Sequence, residues 1–108
     1  MSQIDNLRTL LHTRANGNPD GHSVDTLWED EVKCVCSNLA ASIEFVSTEC
    51  TDEEFYYLSE IFDDIMEQTK SIDFLKCIRQ RAERVENAQW RCELAEDIRF
   101  AALYVEDR

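Results

Sequence analysis

The chain has 108 residues, and its 23 Asp and Glu against 11 Lys and Arg give a formal net charge of −12. That surplus repels phosphate backbones and anionic membrane surfaces, so direct nucleic-acid binding and membrane binding are both disfavoured. A hydrophobic share of 44% with only two Gly and one Pro indicates a folded, helix-rich chain, which we expect to form one domain over residues 1–108.

The first two helices are predicted from apolar side chains that recur with the helical period. Helix one covers residues 2–14, and helix two begins at Ser23 and continues to about residue 46 as one long helix. The segment between them, residues 15–22, holds both Gly and the single Pro and is typical of a loop. A calcium loop is excluded there because the twelfth position, which needs a bidentate Glu, is Leu27.

The remaining helices begin at side chains that can cap a helix. Thr51 followed three residues later by Glu54 has the pattern of a capping box, which predicts helix three over residues 51–68. Ser71 is the predicted N-cap of helix four, whose apolar residues from Ile72 onward are expected to face the core. A last helix is predicted over residues 87–105. The fold class is therefore all-α, a compact bundle of about five antiparallel helices.

The sequence contains no motif for a nucleophile with its base, for a set of metal ligands or for a phosphate-binding loop. We therefore expect no catalytic residues, no metal site and no cofactor. The five Cys include no Cys-x-x-Cys pair, and the first residues show no secretory signal, which favours reduced thiols in the cytoplasm. A hydrolase that uses clustered carboxylates with a divalent metal is an alternative, and tight Mg²⁺ or Mn²⁺ binding would favour it.

Acidic side chains concentrate in the middle third of the chain. Between Cys34 and Thr69 there is no Lys or Arg, while the same stretch holds nine Asp and Glu. Glu60, Asp63 and Glu67 have the i, i+3, i+7 spacing of one stripe on helix three, where like charges destabilise a helix. Two interpretations remain open. The stripe is a docking surface for a cationic groove, or it is a solvated face that the Lys and Arg of helix four neutralise.

Two adjacent tyrosines bear on that choice. Tyr56 and Tyr57 cannot both face the core, because four consecutive residues cover the whole circumference of a helix. A tyrosine among carboxylates is typical of the centre of an interface, although it can also lie over the seam between helices three and four. The predicted partner-binding residues are Glu53, Tyr56, Tyr57, Glu60, Asp63, Asp64 and Glu67. The loop at residues 15–22 is the alternative contact.

Three stretches between residues 51 and 102 carry a resemblance to a known family. They are Thr51-Asp-Glu-Glu-Phe-Tyr-Tyr-Leu-Ser-Glu-Ile-Phe-Asp-Asp-Ile-Met-Glu, then Ser71-Ile-Asp-Phe-Leu, then Glu96-Asp-Ile-Arg-Phe-Ala-Ala. This block resembles the small helical immunity proteins of bacterial contact-dependent growth inhibition systems. The resemblance does not extend to residues 1–50.

The resemblance implies a cytoplasmic protein that binds and neutralises the toxic C-terminal domain of a cognate toxin, often a nuclease, through surface complementarity and without a cofactor. A basic toxin domain fits the charge of this chain, because an acidic patch speeds the capture of a basic partner. The alternative is an acidic helical adaptor, or a nucleic-acid-mimic regulator, that binds a basic host protein.

Overall fold

The computed structural model describes residues 3–15 and 24–106, and these residues form six helical stretches. The stretches are α1 (Gln3–Ala15), α2 (Val24–Ser37), α3 (Leu39–Glu44) continuing into a π-helical turn (Phe45–Glu49), α4 (Asp52–Leu58) continuing through a 3₁₀ turn (Ser59–Ile61) into α5 (Phe62–Thr69), α6 (Ile72–Glu83) and α7 (Ala88–Glu106). No strand occurs in this part of the chain. The all-α prediction is confirmed, and six stretches replace the five that were expected.

The single long helix predicted for residues 23–46 is wrong, because the chain breaks at Asn38. The Asn38 backbone leaves the helical region at φ −150° and ψ 83°, and its side-chain Oδ1 accepts a hydrogen bond from the Ala41 N–H at 3.2 Å. Asn38 therefore caps a new helix. The buried Ser42 hydroxyl donates to the Val35 carbonyl at 3.1 Å and ties α3 back to α2. The apolar residues before and after Asn38 keep the helical spacing, so the spacing alone predicts one continuous helix.

The two caps predicted in the second half of the chain are confirmed. Thr51 Oγ1 accepts from the Glu54 N–H at 3.1 Å, and Glu54 Oε1 accepts from the Thr51 N–H at 2.9 Å, which completes a capping box. Ser71 Oγ accepts from the Phe74 N–H at 3.1 Å. Lys70 takes the left-handed conformation, φ 49°, that ends α5 before α6 begins. The predicted caps at residues 2 and 23 lie outside the described residues, as do residues 16–22 of the predicted loop.

The core is one cluster of apolar side chains to which the helices contribute in turn. Phe55, Phe62 and Phe74 lie at its centre, with ring centroids 5.5 Å apart for the first pair and 6.3 Å for the second. Ile72 was expected to face the core, but it is 58% exposed. Phe74 and Leu75, two and three residues further along α6, are the first buried side chains of this helix.

Two arginine side chains anchor α4 to other helices. Arg8 of α1 pairs with Glu54, and Arg81 of α6 donates to Asp52 Oδ1 at 2.7 Å and to the Cys50 carbonyl at 3.2 Å. These contacts hold α4 and the 3₁₀ turn after it in place, and that segment leads into the acidic part of the molecule. None of the described helices combines the length and the apolar composition that crossing a bilayer requires.

Candidate functional site

The predicted acidic stripe lies on one exposed flank of the α4–α5 segment. Glu60 in the 3₁₀ turn and Asp63 and Glu67 in α5 are all exposed. The opposite side of α5 buries Phe62 and Ile65, so these three carboxylates are left on the solvent side. α5 packs against α7, and the stripe therefore runs beside α7.

α7 adds three carboxylates that the sequence argument did not include. Glu93, Glu96 and Asp97 project towards the 3₁₀ turn, and a groove of about 320 Å³ lies between them, Glu60, Tyr56 and Ser59. We call the six carboxylates from both sides of this groove and along α5 the acidic face. Its members are Glu60, Asp63, Glu67, Glu93, Glu96 and Asp97.

The carboxylates of the acidic face are close enough to affect one another. Burial raises the pKa of Asp97, and the charges of Asp63 and Glu93 raise it further, while the Ser59 hydroxyl partly offsets the rise. Burial also raises the pKa of Asp63, and the charge of the adjacent Asp64 adds to the rise. A carboxyl group that holds its proton more tightly than usual marks a region of negative potential and reduced solvation. The acidic face is therefore an electrostatically unfavourable arrangement in the isolated protein.

The contacts of Arg81 and Arg84 do not support the interpretation that the basic residues of helix four neutralise the stripe. Arg81 pairs with Asp52, and Arg84 donates to the Ser47 carbonyl at 2.6 Å. Across the described ranges, no Lys or Arg forms an ion pair with Asp63 or Glu67. Arg99 Nη2 lies 4.0 Å from Glu96 Oε1, and both side chains are well exposed. Such an exposed pair contributes little.

Tyr56 forms one wall of the groove. Its ring stacks on Trp90 of α7 with centroids 4.5 Å apart and planes 11° apart, and its hydroxyl donates to Glu93 Oε2 at 2.9 Å. Tyr57 is half-buried and meets the Tyr56 ring edge-on at 6.1 Å. Both tyrosines lie at the boundary. Tyr56 covers the seam between α4 and α7, and not the predicted seam with helix four, which is α6 in the structure. The stack gives the groove a rigid aromatic side.

Two of the predicted carboxylates lie outside the acidic face. Asp64 is on the other flank of α5, where it borders a cleft beside Trp28 and Lys33 of α2. Glu53 is exposed on α4, one turn before Tyr57. The structure therefore brings together Tyr56, Glu60, Asp63 and Glu67 from the predicted set, with Tyr57 at the margin.

The contribution of α7 was missed because charge was summed by segment, and the last helices looked basic. Within α7 the charges separate by side. Glu93 and Asp97 are four residues apart and share one flank, whereas Arg91 and Arg99 are eight residues apart and line a different groove, against α6. The helical spacing of these four residues was the signal that could have revealed the arrangement.

A metal site is not formed by this cluster of acids. In the part of the chain that the structure describes, no group of three or more His, Cys, Asp or Glu side chains is arranged to hold a metal ion.

No protein-family model matches the chain, and neither a curated protein nor a solved structure matches it. The resemblance over residues 51–102 stays a prediction.

Proposed function

We propose that the chain is a cytoplasmic immunity protein that binds and neutralises a cognate toxin domain of the nuclease type, and that the acidic face is its contact surface. The observation that carries the proposal is the gathering of six carboxylates on the adjoining flanks of the α4–α5 segment and α7. Burial raises the pKa values of Asp63 and Asp97, and neighbouring negative charge adds to the rise, from Asp64 at Asp63 and from Asp63 and Glu93 at Asp97. A partner that supplies positive charge removes the repulsion between these charges.

The chemistry of a nuclease fits the acidic face. A nuclease binds a phosphate backbone, so its active-site cleft carries Lys and Arg. Attraction between that cleft and a molecule of net charge −12 speeds the encounter, and covering the cleft blocks the substrate. Inhibition of this kind is stoichiometric and needs neither a cofactor nor a catalytic residue in the inhibitor.

The proposal treats the chain as a binding protein and not as an enzyme. His12 is the histidine in the described ranges, and its Nε2 lies 2.9 Å from Glu54 Oε2. Glu54 is also held by Arg8 and by the Thr51 N–H. This histidine–carboxylate pair is therefore part of the contacts that join α1 to α4, which supports a structural role for it.

A survival assay tests the proposal. Bacteria that express the toxin C-terminal domain encoded beside this chain should survive only when the chain is also expressed. A face-reversed variant, Asp63→Lys with Glu67→Lys, should fail to protect them. A control variant with the same charge change on α2 and α3, Asp30→Lys with Glu44→Lys, should protect like the wild type, since Asp30 is exposed at the groove between α1 and α2 and Glu44 is exposed on α3.

Two results would contradict the proposal. One is a wild-type chain that gives no protection and forms no complex with the toxin domain, and the other is equal protection by both variants. If the wild type binds a host nucleic-acid enzyme through the acidic face, and has no effect on the toxin, the nucleic-acid-mimic regulator becomes the better assignment.

A further inference from the structure

Three large apolar side chains remain exposed in a row on the last turns of α7. Phe100 is 49% exposed, Leu103 is 51% exposed and Tyr104 is 37% exposed. Their i, i+3, i+4 spacing places them on one side of the helix, and we call this row the apolar ridge. Single exposed apolar residues are ordinary on a protein surface, but a contiguous group of large ones indicates a contact surface.

The apolar ridge adjoins the acidic face. Tyr104 lies near α5, where partial loss of water and then the charges of Glu67 and Asp63 raise the pKa of its phenol. Glu96 precedes Phe100 by four residues and therefore lies on the same side of α7. Carboxylates thus border the ridge both across the α5–α7 seam and along α7 itself.

The other flank of the ridge carries a cation. The Arg99 guanidinium carbon lies 5.7 Å from the centroid of the Phe100 ring. The ridge is therefore flanked by negative charge on the α5 side and by positive charge on the α6 side. A basic partner surface fits this pattern best with its Lys and Arg towards α5.

We propose that the apolar ridge is the centre of the interface with the toxin domain and that the acidic face forms one side of its rim. This inference rests on the proposed function, and it identifies the part of the surface in which the binding free energy is concentrated. The partner surface it requires is an apolar pocket for Phe100 and Tyr104, bordered by Lys or Arg side chains that pair with Asp63 and Glu67. Interfaces commonly have aromatic residues at the centre and charged residues at the rim.

The two parts of the surface should act on different rate constants. Exposed rim charges steer the encounter, so they set the association rate and its dependence on salt. Apolar side chains that become buried at the centre hold the complex together, so they set the dissociation rate. This separation distinguishes the ridge from the acidic face in one kinetic experiment.

Surface plasmon resonance with the purified, immobilised toxin C-terminal domain encoded beside this chain provides the test. Phe100→Ala, Leu103→Ala and Tyr104→Ala are each made in the full chain. Phe100→Ala and Tyr104→Ala are expected to raise the dissociation rate by at least about tenfold and to leave the association rate within about twofold of wild type. Circular dichroism confirms that each variant keeps its helices, as expected for exposed positions.

Leu10→Ala is the matched control for Leu103→Ala. Leu10 is a half-buried leucine on α1, which packs against α2 and α4, so the same truncation is made away from the ridge. Leu10→Ala is expected to dissociate at the wild-type rate.

The failure of this inference differs from the failure of the proposed function. If the wild-type chain does not bind the toxin domain, the proposed function is wrong and the ridge loses its assigned partner. If the wild type binds, but Phe100→Ala and Tyr104→Ala dissociate at the wild-type rate, only the inference about the ridge is wrong. Self-association of the wild type that Phe100→Ala abolishes, seen by sedimentation, would assign the ridge to a contact between two copies and overturn the inference.

Discussion

Arg8 and Glu54 are 46 residues apart in the sequence and form a two-point ion pair between α1 and α4. Arg8 Nε lies 2.6 Å from Glu54 Oε2, and Arg8 Nη2 lies 3.0 Å from Glu54 Oε1. The Glu54 side chain is only 3% exposed and also completes the capping box with Thr51. One carboxylate therefore both begins α4 and fixes α1 against it.

The first prediction concerns acid stability. Burial alone would raise the pKa of Glu54, but hydrogen bonds from Arg8 and the Thr51 N–H lower it from 4.5 to about 2. The unfolded chain takes up this proton at higher pH than the folded chain does. The resulting stabilisation, on the order of 3 kcal/mol, is present above the unfolded pKa and is lost as pH falls through the folded value. Urea unfolding at a series of pH values measures this loss.

Glu54→Gln should lower the free energy of unfolding near neutral pH and flatten its decline in acid. Glu53→Gln is the control, because Glu53 is the exposed neighbour on the same turn. A Glu54→Gln protein with the same acid dependence as the wild type would show that another group controls it.

The second prediction concerns the contact between α6 and the start of α4. Arg81 is 8% exposed, pairs with Asp52 and lies over the Phe55 ring at 5.5 Å. Arg81→Met leaves the Asp52 carboxylate and the Cys50 carbonyl without this donor and should lower the free energy of unfolding by about 2 kcal/mol or more. Arg84→Met removes an exposed hydrogen bond and should cost less than about 1 kcal/mol. Equal losses, measured by urea unfolding, would contradict this assignment.

The third prediction concerns the aromatic wall of the groove. In a Trp28→Phe background, Trp90 is the one remaining tryptophan of the two in the chain. Tyr56→Ala uncovers one face of Trp90 and should shift its fluorescence to longer wavelength and lower stability by about 1–2 kcal/mol. Tyr56→Phe keeps the stack and loses only the hydrogen bond to Glu93, so its emission should match the background. A red shift of equal size in both variants would contradict the role of the stack.

The fourth prediction concerns repulsion within the acidic face. Burial and nearby carboxylates raise the pKa of Asp97, so its ionisation destabilises the folded state at neutral pH, and this loss disappears in acid once the group is protonated. Asp97→Asn should therefore raise the free energy of unfolding by a few tenths of a kcal/mol at low salt and neutral pH. Asp30→Asn, at an exposed position of α2, is the control. A gain for Asp97→Asn that is unchanged by salt or acid would argue against electrostatic repulsion.

The helix caps could be predicted from sequence because a cap is local. Thr51 and Glu54 are three residues apart, and Ser71 stands directly before its helix, so the chemistry is visible without the fold. The break at Asn38 was also local, but the continuous apolar spacing around it favoured one long helix. The pairing of Arg8 with Glu54 was beyond prediction, since it depends on how α1 meets α4 in three dimensions.

The candidate site was predicted in part for the same reason. The stripe of Glu60, Asp63 and Glu67 follows from helical spacing alone. The stripe lies beside Glu93 and Asp97 only because α5 packs on α7. The four-residue spacing of Glu93 and Asp97 is nevertheless visible in the sequence. At least one of the two tyrosines was expected at a boundary, and both lie there. Trp90, the partner of Tyr56, lies 34 positions further along the chain, and only the fold brings the two together.

The most direct test of the central claim is the salt dependence of association with the proposed partner, a basic toxin domain, measured by stopped-flow mixing. The wild-type rate constant should fall steeply as salt is raised. The face-reversed variant should associate at least about tenfold more slowly at low salt and lose most of that dependence, while the control variant follows the wild type closely. Wild-type rates and wild-type salt dependence in the face-reversed variant would contradict the claim that the acidic face meets a basic partner.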